Sequence, residues 1–291
     1  MTVPARPTPL FADIADVSRR LAETGYLPDT ATATAVFLAD RLPEPLPAGG
    51  SPPGGHHQLA RAVAQATGSG LVRLQCYEGV DEARALYEWN HAKQILRIQA
   101  GSGDWEATKT DVFSEEFLLQ RPLLTAIRRT EPTVLLIDET DKADIEIEGL
   151  LLEVLSDFAV TVPELGTLTA TRAPFVLLTS NATRELSEAL KRRCLYLHID
   201  FPTPELERRI LLSRVPELPE HFAEELVRII GVLRGMQLKK VPSIAETIDW
   251  GRTVLALGLD TIDDAVVAAT LGVVLKHQSD QQRATGELRL N

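Results

Sequence analysis

Cysteine is nearly absent from these 291 residues. Cys76 and Cys194 lie far apart and in no C-x-x-C spacing, which excludes a disulfide framework and a zinc knuckle and points to a reducing cytoplasm. Basic residues are in the minority, 30 Lys and Arg against 41 Asp and Glu, and the net charge of −11 leaves no footprint for duplex nucleic acid or an anionic membrane surface. Long apolar runs are missing too. The longest, 265–275, is broken by Thr270 and Gly272 and falls short of the ~20 residues that span a bilayer, so no membrane insertion is expected. Residues 1–9 hold three prolines and no apolar stretch of a secretory signal. What remains, 44% apolar and 24% charged residues, can bury a core in one large or two medium domains.

Helical periodicity predicts helices over 10–22 and 31–42. A proline- and glycine-rich stretch, 41–55, reads as a loop, followed by a helix over 56–67 and a short strand over 71–75. A long helix over 81–99, a polar segment over 100–109 and a helix over 114–129 come next. Residues 133–137 form a continuous β-branched and leucine run, the pattern of a strand buried on both faces, and it ends in acid. A helix over 145–155, a hairpin over 159–170, and strands over 175–179 and 194–199 complete an α/β pattern with a parallel sheet covered by helices. Beyond Pro204 only helical periodicity remains, over 205–214, 220–234, 243–256 and 261–275, with a polar tail from Gln278. The boundary near Thr203 therefore divides an α/β domain, 1–203, from an all-helical domain, 204–291.

The chemistry starts at Val134-Leu135-Leu136-Ile137-Asp138-Glu139. A hydrophobic strand that delivers two consecutive acids is how P-loop ATPases hold the hydration shell of Mg²⁺ and polarise the attacking water. A second buried strand ends in Ser180-Asn181, an amide suited to orient water beside a γ-phosphate, and Lys191-Arg192-Arg193 follows ten residues later. At these residues the chain resembles the AAA+ ATPases and, more narrowly, the MoxR group. The stretches that carry the resemblance are VLLIDE, LLEVLSDFAVTVPELGTLTA, LLTSNATRELSEALKRRCLYLHIDFP and PSIAETIDW. The segment LQCYEGVDEARALYEWN is similar to members linked to von Willebrand A-domain partners and to carbon monoxide dehydrogenase maturation. The resemblance implies a P-loop NTPase sheet, a helical lid, an oligomeric ring that is homo- or hetero-oligomeric, ATP and Mg²⁺ as cofactors, and a chaperone-like role on a client protein or metalloenzyme. It implies that Asp138 holds Mg²⁺, Glu139 is the general base, Asn181 is sensor 1, and Arg192 or Arg193 is an arginine finger reaching a neighbouring subunit.

The phosphate loop departs from the G-x-x-x-x-G-K-[ST] pattern. Gly50, Gly54 and Gly55 are present, but His56 stands at the lysine position and His57 at the Ser/Thr position, while Pro52 and Pro53 have no N–H to offer a phosphate. An imidazole of ordinary pKa ~6.5 is mostly neutral at pH 7 and shorter than lysine. His56-His57 admits a metal or phosphate role, but a reading as tolerated replacements in a loop that lost its role is preferred, because adjacent histidines at a helix start point in different directions and no further ligands are identified. His91, His198, His221 and His277 show no ligand spacing, and Gly101-Ser102-Gly103 lacks the third glycine of a dinucleotide fingerprint. Ser243 to Glu246 stand where many AAA+ proteins carry a sensor 2 arginine. Two function classes follow: an ATP-hydrolysing motor, carried by the acid pair, Asn181 and the arginines, and a pseudo-ATPase scaffold that donates its finger to competent neighbours, carried by His56-His57. A nucleic-acid loader has no basic stripe or aromatic platform behind it.

Overall fold

The computed structural model describes residues 8–42, 44–49, 55–100, 111–180, 184–195, 197–259 and 261–288. The chain opens with α1 (Ile14–Glu23) and α2 (Thr30–Arg41), each begun by an aspartate, Asp13 and Asp29, whose carboxylate accepts an orphan backbone N–H of the first turn. Asp40, buried near the end of α2, accepts the backbone N–H groups of Leu10 and Phe11 at 2.8 and 3.1 Å and so ties the preceding segment across the hairpin.

The 41–55 stretch is not all loop. It contains β1 (Leu46–Gly49), which lies inside the main sheet and pairs in parallel with two strands. Proline is tolerated there because the ladder on one side begins only at Ala48, past Pro47. After α3 (Gly55–Thr67) and β2 (Gly70–Gln75), the single helix expected over 81–99 is instead α4 (Glu82–Ala85), β3 (Tyr87–Trp89) and α5 (His91–Ala100). The helix expected over 114–129 likewise resolves into a 3-10 turn, β4 (Leu118–Gln120) and α6 (Pro122–Arg128). The two corrections have one cause. β3 and β4 pair with each other antiparallel, which suits the aromatic residues of Tyr87-Glu88-Trp89, and Pro122 favours the start of a helix over its interior.

The remaining α/β elements are β5 (Thr133–Asp138), α7 (Ile145–Asp157), the hairpin β6 (Ala159–Val162) and β7 (Gly166–Thr169), β8 (Phe175–Ser180), α8 (Glu188–Lys191) and β9 (Leu197–His198). Five strands form a parallel sheet in the order β2-β5-β8-β1-β9. Period-two alternation splits its residues between two layers. Val134, Leu136, Phe175 and Leu177 pack with α1, α2 and α3, whereas Leu135, Ile137, Val176 and Leu178 pack with α6, α7 and the hairpin. The expected α/β class, a parallel sheet with helices on both faces, is what the chain forms.

Among the described residues after β9 there are only helices: α9 (Pro204–Arg214), α10 (Glu220–Gly235), α11 (Ile244–Leu257), α12 (Asp264–Val274) and α13 (Gln278–Glu287). They surround their own core, centred on Trp250, whose indole N–H donates to Thr270 Oγ1 at 2.8 Å. The polar tail expected from Gln278 is the helix α13. Asp280 explains it: this buried carboxylate accepts the backbone N–H groups of Lys239 and Lys240 at 3.0 and 3.2 Å, and Ala284 is buried one turn on.

Candidate functional site

Parallel strands aim their carboxyl ends at one edge of the sheet, and β5 and β8 deliver Asp138 and Thr179 side by side there. Thr179 Oγ1 donates to Asp138 Oδ1 at 2.5 Å and accepts the backbone N–H of Glu139 at 2.9 Å. Thr140 Oγ1 donates to the Thr179 carbonyl at 2.8 Å. This network surrounds Glu139, whose backbone stands in the left-handed region, φ 56°, which costs a non-glycine residue about 1–3 kcal/mol.

The carboxylate of Glu139 accepts from Gln75 Nε2 at 2.9 Å and from Lys142 Nζ at 2.7 Å. Gln75 stands opposite Asp138 in the β2–β5 ladder, and Arg73, two residues earlier on the same face of β2, donates through Nη2 to Asp138 Oδ2 at 2.5 Å and also to the Gln75 side chain. His57, near the start of α3, presents Nδ1 to the same Oδ2 at 3.7 Å. Burial alone would raise the Asp138 carboxyl, but the hydrogen bonds from Thr179 and Arg73, with the guanidinium charge, outweigh it and hold Asp138 below the ordinary carboxylate range. His57 is lowered, first by burial and then by the charges of Arg61 and Arg73, against the opposing pull of Asp138.

Of the residues singled out in the sequence, the structure brings Asp138, Glu139 and His57 together. Gly55 opens α3 and His56 lies within it. Gly50, Gly54 and Asn181 fall outside the described residues. Arg192 and Arg193 occupy the exposed turn after α8, and among the described residues neither guanidinium has an ion pair. Sequence reasoning missed Arg73, Gln75, Thr179 and Lys142. Arg73 and Gln75 did leave a signal, two polar residues at i and i+2 on a strand whose alternate positions Val72 and Leu74 are apolar.

Mg²⁺ does not fit this donor set. The ion takes about six oxygens at about 2.0–2.1 Å, most of them water, around one or two carboxylates. Here both oxygens of Asp138 accept hydrogen bonds, from Thr179 and Arg73, the His57 imidazole stands 3.7 Å from Oδ2, and the Arg73 guanidinium sits against the same oxygen. Among the described residues no group of three or more His, Cys, Asp or Glu side chains could hold a metal ion.

Beside His57, a cleft of about 410 Å³ opens between α3 and the C-terminal helices, lined by Gln58, Arg61, Arg214, Asp249 and Arg252 among others. Three guanidinium groups against one carboxylate make it favourable to anions.

Residues 50–194 match the AAA domain family, dynein-related subfamily. Proteins of the AAA+ ATPase family generally use ATP and Mg²⁺ and typically form oligomeric rings. No curated protein sequence matches the chain. Among solved structures, a RuvB mutant of Thermotoga maritima aligns with 98% of this chain and 74% of its own, at 15% identity and a TM-score of 0.48. No helix among the described residues is long and apolar enough to cross a membrane.

Proposed function

With an AAA domain at residues 50–194 as premise, we propose that the protein is a MoxR-type, chaperone-like ring subunit whose own nucleotide site does not hydrolyse ATP. It acts in the cytoplasm on a client protein or metalloenzyme, together with a von Willebrand A-domain partner, and donates Arg192 or Arg193 to the site of a competent neighbour. Residues 204–291 serve as its helical lid. The observation that carries this reading is the acid pair: Asp138 is bonded to Arg73 and faces His57, and Glu139 is bonded to Lys142 and Gln75. An acid that must polarise water is poorly served by an ammonium 2.7 Å from its carboxylate. The exposed arginines support the donor role, since a finger must leave its own subunit to reach a neighbour's phosphate.

A motor would need these side chains to exchange partners during turnover, and the phosphate loop would still lack its lysine and hydroxyl. The test is a mixed assembly with a companion subunit that carries a complete loop. Turnover should track the companion's general base, be unaffected by Glu139→Gln in this chain, and fall when Arg192 and Arg193 are both replaced by alanine. Glu139-dependent turnover of this chain alone would establish the motor reading instead.

A further inference from the structure

We propose that Arg73 is the resident counter-cation of Asp138, and that its guanidinium takes the place a divalent metal would need. The inference rests on the AAA assignment for the expectation of a metal and on this chain's own side chains for its failure.

A carboxylate at the carboxyl end of a buried strand must be compensated, because a buried charge without a partner is strongly disfavoured. Asp138 is 8% exposed. In a metal-dependent site the ion supplies the compensation. In this chain compensation comes from the protein: Arg73 reaches Oδ2 at 2.5 Å and Thr179 reaches Oδ1 at 2.5 Å. Arg73 is itself anchored, its Nη2 donating also to the Gln75 side chain, and Gln75 in turn donates to Glu139. The guanidinium is thus held by two partners on the strand edge and cannot swing away without breaking both bonds. Two cationic side chains are bonded to the acid pair, Arg73 to Asp138 and Lys142 to Glu139. A divalent cation on Asp138 would come against the Arg73 guanidinium, a like-charge contact that costs affinity for either cation.

An oxygen donor is also replaced by nitrogen. The P-loop hydroxyl position is His57, and a neutral imidazole suits zinc or copper and is a poor ligand for Mg²⁺. The cluster is therefore complete without metal.

Mn²⁺, a spectroscopically visible substitute for Mg²⁺, provides the readout, measured by electron paramagnetic resonance on the full chain without nucleotide. The native protein and Asp138→Asn should bind Mn²⁺ indistinguishably, and Arg73→Leu should acquire a site that a further Asp138→Asn weakens by about tenfold or more. Melting temperature is the second measurement: millimolar Mg²⁺ should leave the native protein unchanged and raise Arg73→Leu. Should Arg73→Leu prove too unstable to handle, Arg73→Gln, which keeps a neutral donor, carries the same two measurements. An Asp138-dependent Mn²⁺ site in the native protein overturns the proposal, as does an arginine variant that folds yet gains no metal response. Neither result touches the non-hydrolysing reading, which is decided by Glu139-dependent turnover in the mixed assembly.

Discussion

Glu207→Ala removes the anion at the centre of the C-terminal helices. Glu207 on α9 is 2% exposed, and both its oxygens accept from Arg234 on α10, at 2.5 and 2.8 Å. Thr247 Oγ1 on α11 donates to Oε1 at 2.8 Å, Arg234 Nε donates to the Pro242 carbonyl at 2.9 Å, and the guanidinium lies 4.1 Å from the Phe201 ring centroid. One carboxylate therefore joins three helices, and through Arg234 it reaches the segment that leaves β9. Alanine leaves the guanidinium buried without its counter-charge, which costs about 3–5 kcal/mol. At about 2–4 °C per kcal/mol for a chain of this size, the melting temperature should fall by about 6–20 °C. Glu207→Gln retains an acceptor and loses the charge, and should cost less, about 1.5–3 kcal/mol. Calorimetry or circular dichroism reads both variants. A melting temperature for Glu207→Ala within about 2 °C of the native protein would refute the reasoning, because it would mean that Arg234 finds equivalent compensation without Glu207.

Burial pushes the thiols of Cys76 and Cys194 up to about 12, with Asp138, Asp141 and Glu139 adding to the effect at Cys76 and Glu44 at Cys194. Both should resist an alkylating reagent at pH 8 in the folded protein and react once it is denatured, a difference that mass spectrometry counts directly. Burial raises the Glu246 carboxyl, but hydrogen bonds from the Ser243 hydroxyl and backbone N–H outweigh it and leave the group below its ordinary value. The folded state then binds fewer protons than the unfolded one in acid, so this contribution is present above about pH 4.3 and lost as pH falls through the lowered value. Glu246→Gln should flatten the stability profile in that window, and Ser243→Ala should cost about 1 kcal/mol as the loss of an N-cap. Arg192→Ala with Arg193→Ala should change stability by no more than about 0.5 kcal/mol, since both are exposed, while companion turnover in a mixed ring falls by about a thousandfold.

The sheet was legible because its central strands are apolar without interruption: Val134 to Ile137 and Phe175 to Leu178 are too short for helices and read as strands buried on both faces. β1 was not legible, because Pro45 and Pro47 argue locally against a strand, and only the short reach of β9 alongside it makes room for them. Residues 81–99 misled for the opposite reason. Their helical spacing is genuine at α4 and α5, yet β4, which pairs Tyr87 with Gln120 and Trp89 with Leu118, is a distant partner that no local pattern reveals. The same limit governed the site. Asp138 and Glu139 announce themselves by position on their strand, whereas the cations that neutralise them come from β2 and from one turn beyond β5, and a charged residue on a strand reads as solvated until its neighbour is known. The expected departure from the phosphate-loop pattern rests on residue type alone, on His56, His57 and the two prolines before Gly54, and residues 50–54 lie outside the described residues.

The most direct test of a non-hydrolysing nucleotide site is calorimetric titration of the purified protein with ATP, with and without Mg²⁺. The loop lacks its lysine and offers two prolines where backbone N–H groups would serve. Each charge-assisted phosphate contact is worth roughly 1.5–3 kcal/mol, so three missing donors amount to about 4.5–9 kcal/mol, or about three to six powers of ten in affinity. The expected result is no binding in the micromolar range and no dependence on Mg²⁺. Micromolar binding of Mg·ATP, accompanied by turnover that Glu139→Gln abolishes, would contradict it.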